Sequence, residues 1–483
     1  MGKVERPYLL TGLEPAAALR FFEDIARLPH GSADEGALAD YLCQFAEERG
    51  LSYRRDKWQN VVIKKRGQGR NANVAPIALQ GHTDMVCEKN EGVAHDFHTD
   101  PIPYYLDGEW VRAHGTTLGA DDGLAIGIML AVLDDDILPH PPLECVFTSQ
   151  EELGMDGARY LSADWVSARR LINLDGGSEG LSTVSSAGGI SVTITVPFTR
   201  CPAEGEGLSV CLTGLTGGHS GGKISEQRAN SNRLMGRLLA AAEQAAPLRM
   251  ASLSGGRKDN AIPREAFALF CTENAEATAE AMQTLFLQLK QEYAKTDPDM
   301  ILTIERAEPA FMMDEAASRK LVLLMQLLPD GVQHWNHQFA LPTTSANLGV
   351  VETLEACTTV RSSIRSTSQT MQDEVQNKML SAAKALELPW RLSEAYPSWY
   401  YREDSPLRRL AAPLYRSTVG VELVFQATHG GLECGLFCEK WPDMDILSIG
   451  CLTEGVHSPD EALNLPSYEK LYLFVRRMLE SLT

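Results

Sequence analysis

The sequence predicts an α/β protein of two domains, the first discontinuous with a central mixed β-sheet flanked by helices, the second an inserted α+β domain. Three observations carry this. At 483 residues the chain exceeds the roughly 250 to 300 at which a single core stops growing. Up to about Ser186, apolar runs of strand length alternate with helical patterns, as in a sheet built with crossover connections. Beyond Ala187-Gly188-Gly189 the text changes to alternating strands, and the earlier pattern resumes near residue 395. The boundaries read as 1–187 with 396–483 for the discontinuous domain and 188–395 for the insertion.

Residues 13–28 and 33–50 carry two helical patterns separated by Pro29-His30-Gly31-Ser32. Strand patterns follow at 61–65 and 75–80, then an apolar helix at 123–136, a buried strand at 143–148 and another at 169–175 ending on Asp175. The insertion opens with strands at 190–198 and 208–215 and an amphipathic helix around 226–245. It continues with a strand at 358–366 and a helix around 370–386. The tail adds a helix at 405–417, strands at 422–427 and 444–450, and a terminal helix from Tyr468.

Charge limits the partners. With 64 acidic against 44 basic residues, the net -20 repels phosphate backbones and anionic membrane surfaces, which excludes nucleic acid and membranes. The ten cysteines form no CxxC pair and no dense framework, which fits a reducing compartment. The opening MGKVERPYLLTG lacks an apolar core of leader length, and no segment offers about 18 uninterrupted apolar residues, so a cytoplasmic protein is expected.

Three polar clusters each follow a strand pattern and precede a turn: Gly81-His82-Thr83-Asp84, Gly119-Ala120-Asp121-Asp122-Gly123 and Gln150-Glu151-Glu152-Leu153-Gly154. Strand alternation puts His82 and Asp84 on one side, so an imidazole can bind metal while the carboxylate orients it from behind. Each cluster alone has a plainer reading. Glu151-Glu152 is also what a solvated acidic pair at a strand end looks like, and Asp121 beside Gly123 is also a turn residue.

In this order and spacing, the chain resembles the M20 family of metallopeptidases, and within it the branch of bacterial aminoacyl-histidine dipeptidases. The resemblance runs through LQGHTDMVCEKN, LGADDGLAIG, TSQEELGMDGA, NLDGG, LTGGHSGG, NAIPRE, HGGLECG and GVHSPDE. It implies hydrolysis of dipeptides, Xaa-His and others, by a metal-activated water at two Zn2+ per subunit, with Co2+ or Mn2+ as substitutes. It makes His82 and Asp175 terminal ligands on different sides of the pair, Asp121 the bridge, and Glu152 and His457 the rest of the set. A donor set without thiolate fits catalytic rather than structural zinc.

The general base falls on Glu151 and the orienting acid on Asp84, and a cis peptide is implied after Asp121. Asp122 departs from many broader members, which carry a basic residue shortly after it. His457 also has a plain reading as a capping residue before Ser458-Pro459-Asp460-Glu461. The resemblance further implies His219 as oxyanion donor, Asn260 on substrate polar groups, Arg365 on the free carboxylate and Glu433 on the free ammonium. Arg361 competes with Arg365, and His219 reads equally as a satisfied histidine in a glycine-rich turn. Cys434 reads as packing, since a thiol nucleophile needs its own base. A homodimer through the insertion, acting as a lid, is implied. The rivals are a family member acting on N-acyl amino acids or longer peptides, and a zinc-dependent binding protein without catalysis.

Overall fold

The computed structural model describes residues 8–483. The opening Met1–Pro7, on which the expectation of no leader partly rests, lies outside the described residues. Two compact units emerge, one of the described residues up to Val184 with Tyr401–Gln426 and Leu436–Thr483, the other of Ser185–Tyr400 with Ala427–Gly435.

The first unit is built on eight strands: β1 (Ser52–Arg55), β2 (Val61–Lys65), β3 (Ile77–His82), β4 (Leu143–Thr148), β5 (Arg170–Asn173), β6 (Leu181–Ser186), β7 (Val424–Thr428) and β8 (Asp445–Ile449). Their order is β1-β2-β4-β3-β5-β8-β6-β7. The central strands β4, β3, β5 and β8 run parallel, while β2 on one flank and β6 on the other pair antiparallel. Parallel strands need both faces covered, and β3 and β4 are buried throughout.

Helices α1 (Ala16–Ile25), α2 (Gly36–Glu48), α3 (Ala120–Asp134), α4 (Pro406–Val419) and α5 (Leu465–Ser481) belong to this unit. In α3 every residue from Asp122 to Leu133 is buried, as an all-round apolar helix must be. Ile126, Ile128, Met129, Leu130 and Val132 each contribute about 1.5 to 3 kcal/mol by leaving water. The terminal helix begins three residues earlier than the expected Tyr468. Asn464 caps it by accepting from the Ser467 amide at 3.1 Å, and Pro466 sits in its first turn, where no amide is needed.

A second, four-stranded sheet joins Tyr104–Asp107, Trp110–Ala113, Ala462–Asn464 and Thr453–Glu454. The turn between its last two members holds residues 455–461, and thereby His457.

The inserted unit carries a nine-stranded sheet of antiparallel pairs centred on Leu248–Gly255, Leu341–Thr353 and Cys357–Ser366. Helices Ser231–Ala245, Ala275–Glu292, Glu315–Leu327 and Gln369–Ala385 bury their apolar stripes in its core. The residues 396–400 and 427–435, expected with the discontinuous domain, fall in this unit. The reason is local pairing: Tyr396 exchanges backbone hydrogen bonds with Gly189, Ala187 N–H donates to Gly430 O at 3.0 Å, and the His429 ring meets the Ser345 hydroxyl at 2.7 Å.

Candidate metal centre

The site grows out of the carboxyl ends of the parallel strands, where α/β sheets leave a crevice. His82 is the last residue of β3, Glu151 and Glu152 open a helical turn just beyond β4, and Asp175 stands two residues beyond β5. Asp121 comes from the head of α3, before regular helix begins, at φ -86° and ψ 103°. The Asp121-Asp122 peptide is cis, as the resemblance implies.

The two aspartates point to different tasks. Asp122 turns inward and its carboxylate accepts the His82 amide at 3.2 Å, so it holds the end of β3. Gly81 makes room for this: a Cβ there would stand 2.5 Å from the Asp122 carboxylate. Asp121 faces the site, one carboxylate oxygen 3.0 Å from His82 Nε2 and the other 3.2 Å from His457 Nε2. His457 Nε2 also lies 2.7 Å from Glu152.

These contacts resolve into donor groups whose atoms lie within 4.8 Å of one another: His82, Asp121 and Asp175; Asp121, Glu152 and His457; and His82, Glu151 and Glu152. His82 and Asp175 therefore stand on the same side of Asp121, not on different sides as expected. The cause is strand order: β3 and β5 are parallel neighbours, so the residues past their ends rise together. Asp121 and Asp175 also border a cavity of about 220 Å³ whose wall includes Gly176 and Gly450. A Cβ on Gly450 would fall 1.9 Å from Gly176 O, so only glycine lets these segments approach.

Asp84 stands behind the His82 ring and does more than the strand-face expectation. Strand β3 ends at His82 and the chain turns, so His82 Nδ1 meets the Asp84 backbone carbonyl at 3.0 Å, with the carboxylate at 3.6 Å. That carboxylate also accepts the amides of Glu151 at 2.9 Å and Glu152 at 3.2 Å and the Ser32 hydroxyl at 2.8 Å. Glu35, which sequence reading missed, accepts the Gln150 amide at 2.9 Å. Gln150 has a left-handed φ of 54°. Three consecutive amides are thus gripped by two buried carboxylates, which fixes the directions in which Glu151 and Glu152 leave the chain.

The charge balance suits cations. Desolvation, then the negative charge of Asp121, pushes Asp175 well above its usual range. Burial opposes charge on His82, but hydrogen bonds with Asp121 and Asp84 outweigh it and raise the ring well above normal. Hydrogen bonds with Asp121 and Glu152 push His457 up to about 10. Crowded carboxylates thus hold protons on the histidines, and a divalent ion answers the same need with its own charge. The histidine and carboxylate oxygen donors fit Zn2+ or a similar ion.

A pH prediction follows from the histidines. A ring whose folded pKa is raised contributes stability that is fully present below its unfolded value near 6.5 and disappears as pH climbs through the folded value, here to about 10. Chelator-stripped protein is expected to lose thermal stability between pH 6.5 and 10, and protein loaded with Zn2+ to lose much less, because bound histidines are neutral across that interval. Melting curves of the two forms across this range check it.

The four other expected residues lie in the inserted unit and gather at one end of it. His219 pairs by backbone with Ala261, next to Asn260, whose carbonyl accepts the Ser220 amide at 2.8 Å. Asn347 supports that hairpin by donating to Asp259 O and Ala261 O at 2.7 and 2.8 Å. Arg365 stands opposite Ser345 and donates to the Tyr396 hydroxyl at 2.9 Å. Arg361 shares its half-buried face two intervals away, with Ser363 between them. Glu433 is fully buried at the head of the helix Glu433–Lys440, after the His429-Gly430-Gly431 turn. Cys434 is fully buried too.

Among the described residues no helix is long and apolar enough to cross a membrane, and none of the ten cysteines is in a disulfide. A profile described as Peptidase family M20/M25/M40 matches residues 78–481. The chain is 36% identical over 479 residues to the cytosol non-specific dipeptidase of Escherichia coli, covering 98% of this chain and 99% of that protein. The crystal structure of aminoacylhistidine dipeptidase from Vibrio alginolyticus superposes with a TM-score of 0.89 at 36% identity, over 100% of this chain and 99% of that one. Aminopeptidase PepT from Bacillus cereus shares the fold at a TM-score of 0.56 and 13% identity, over 97% of this chain and 98% of that one.

Proposed function

The chain belongs to the peptidase family M20/M25/M40 and hydrolyses peptide bonds; from that premise we propose that it is a cytosolic two-zinc dipeptidase acting on Xaa-His and other dipeptides. The observation that carries the metal reading is Asp121, whose two oxygens face His82 and His457 and which belongs to two donor groups, one with His82 and Asp175 and one with Glu152 and His457. A carboxylate between two such groups is suited to bridge a pair of ions. Full-length likeness to two proteins named as dipeptidases supports the substrate class, and ten cysteines outside any disulfide support the compartment.

When bound, the cations supply Lewis acidity that polarises the scissile carbonyl and makes water a stronger acid. The Glu151 carboxylate takes the proton from the attacking water and returns it to the leaving nitrogen. Its place is set by the Asp84 grip on its own amide and on that of Glu152. We assign Asp84 as the positioning acid and Glu151 as the base.

In the inserted unit, read as a lid and the site of homodimerisation, His219 donates to the oxyanion and Asn260 binds substrate polar groups. Arg365 holds the terminal carboxylate through paired hydrogen bonds, and Glu433 the terminal ammonium. Holding both ends by charge selects length over side-chain identity. Glu433 separates this reading from hydrolysis of N-acyl amino acids, which bring no ammonium to a buried carboxylate.

A panel of free, N-acetylated and C-amidated dipeptides tests it. N-acetylation is expected to lower kcat/KM by at least about 100-fold, since it removes the charged ammonium, and losing one partner of a buried ion pair costs about 3 to 5 kcal/mol. Undiminished turnover of the acetylated peptides would overturn the dipeptide reading.

A further inference from the structure

Glu461 has no role in the reading above, yet it touches the site's central turn. Its side chain is buried, with the residue only 2% exposed. One carboxylate oxygen accepts the amides of Leu118 at 2.7 Å and Gly119 at 3.0 Å, and the other accepts the amide of Asp121 at 3.1 Å. Gly119 adopts a left-handed φ of 72°, which turns its amide toward the same acceptor as its neighbour's.

At its other end Glu461 closes the turn that holds His457. Its own amide donates to Ser458 O at 3.0 Å, and the Ser458 amide and hydroxyl donate to Gly455 O at 3.0 and 2.6 Å. His457 sits inside this turn at a left-handed φ of 64°. A single side chain therefore ties together two segments some 340 positions apart, each bearing a residue of the same donor group.

We propose that Glu461 is a positioning residue of the metal centre: by gripping the amides of 118, 119 and 121 from within the His457 turn, it sets the spacing between the Asp121 carboxylate and the His457 ring. This rests on the two-cation reading. Ligand atoms must hold their places to about 0.2 Å, and neither turn has regular secondary structure to enforce that. The demand on the side chain is specific. Glutamine offers one acceptor oxygen and brings an NH2 among N–H donors, and aspartate keeps both oxygens but falls one methylene short.

The test uses full-length protein stripped by chelator, titrated with Zn2+ against a chromophoric competitor, and separately loaded with Co2+ for its visible spectrum. Glu461→Gln is expected to weaken the more loosely held Zn2+ by about 10- to 100-fold and to shift the Co2+ bands, with Glu461→Asp losing less. A carboxylate that served the fold alone would lower the melting temperature of the stripped protein and leave both cation readouts alone. Affinity within about twofold of the unaltered protein with an unchanged Co2+ spectrum overturns the proposal, whatever the melting temperature. If Glu461→Gln does not fold, the same readouts on Glu461→Asp decide. His457→Ala in the same titration separates two failures. Lost affinity there with retained affinity in Glu461→Gln defeats only the positioning role, whereas retained affinity in both defeats the centre and the inference with it.

Discussion

Replacing Glu151 by glutamine is expected to lower kcat by about 100- to 10,000-fold while leaving two cations per chain, a loss of about 3 to 5 kcal/mol of transition-state stabilisation. Glutamine keeps the shape and removes only the ability to take up a proton. The neighbouring Glu152 has its carboxylate 2.7 Å from His457 and is committed there, so it is not free to substitute. The turn is also held by backbone amides, through Asp84 and Glu35, and these bonds do not involve the Glu151 side chain. Metal analysis beside steady-state kinetics checks the split. A fall in metal content matching the fall in rate would make Glu151 a ligand and leave the base unassigned.

Asp121→Ala is expected to abolish activity by a different route, weakening both cations by at least about 100-fold, because the group with His82 and Asp175 and the group with Glu152 and His457 both lose the member they share. His82 and His457 then also lose one of the two carboxylates that hold their protons, keeping Asp84 and Glu152 respectively. Burial, which opposes the charge on His82, acts unbalanced on that side, and the His457 pKa falls from about 10 toward its ordinary value. The stripped variant should accordingly lose part of its pH-dependent stability between 6.5 and 10, the rest being kept by Glu152 and Asp84. Zn2+ titration and melting curves of the variant measure the two effects independently. Loss of one cation with full retention of the other would show that Asp121 serves a single ion.

The polar clusters at strand ends made the neighbourhood of His82, Asp121 and Glu152 legible, because a strand end followed by a turn is a local pattern that survives in a linear text. The register between strands is not local. The pairing of β3 with β5 put Asp175 beside His82, which no reading of single segments could order. Glu35, Asn347 and Glu461 stayed hidden for a related reason. Each works through backbone amides or carbonyls of a distant turn, so neither its residue type nor its spacing marks it. Asp84 was noticed as the acid behind the His82 ring, where its carboxylate stands 3.6 Å away, but its bonds to the Glu151 and Glu152 amides join it to a distant turn and left no local mark. The segment 427–435 was misplaced because its partners, Ala187 and Ser345, lie far upstream.

Strand β8 lies between β5 and β6 in the sheet, although about 260 residues separate it from either in the chain. During synthesis the first 184 residues emerge without their central neighbour, while the inserted unit already holds nearly all of its own strands. The ribosome must deliver Asp445–Ile449 before the gap can be filled, and only eight residues later His457 appears. Nascent chains halted short of that point lack both the filled sheet and one donor, so competence to hydrolyse peptides is withheld until His457 has been made.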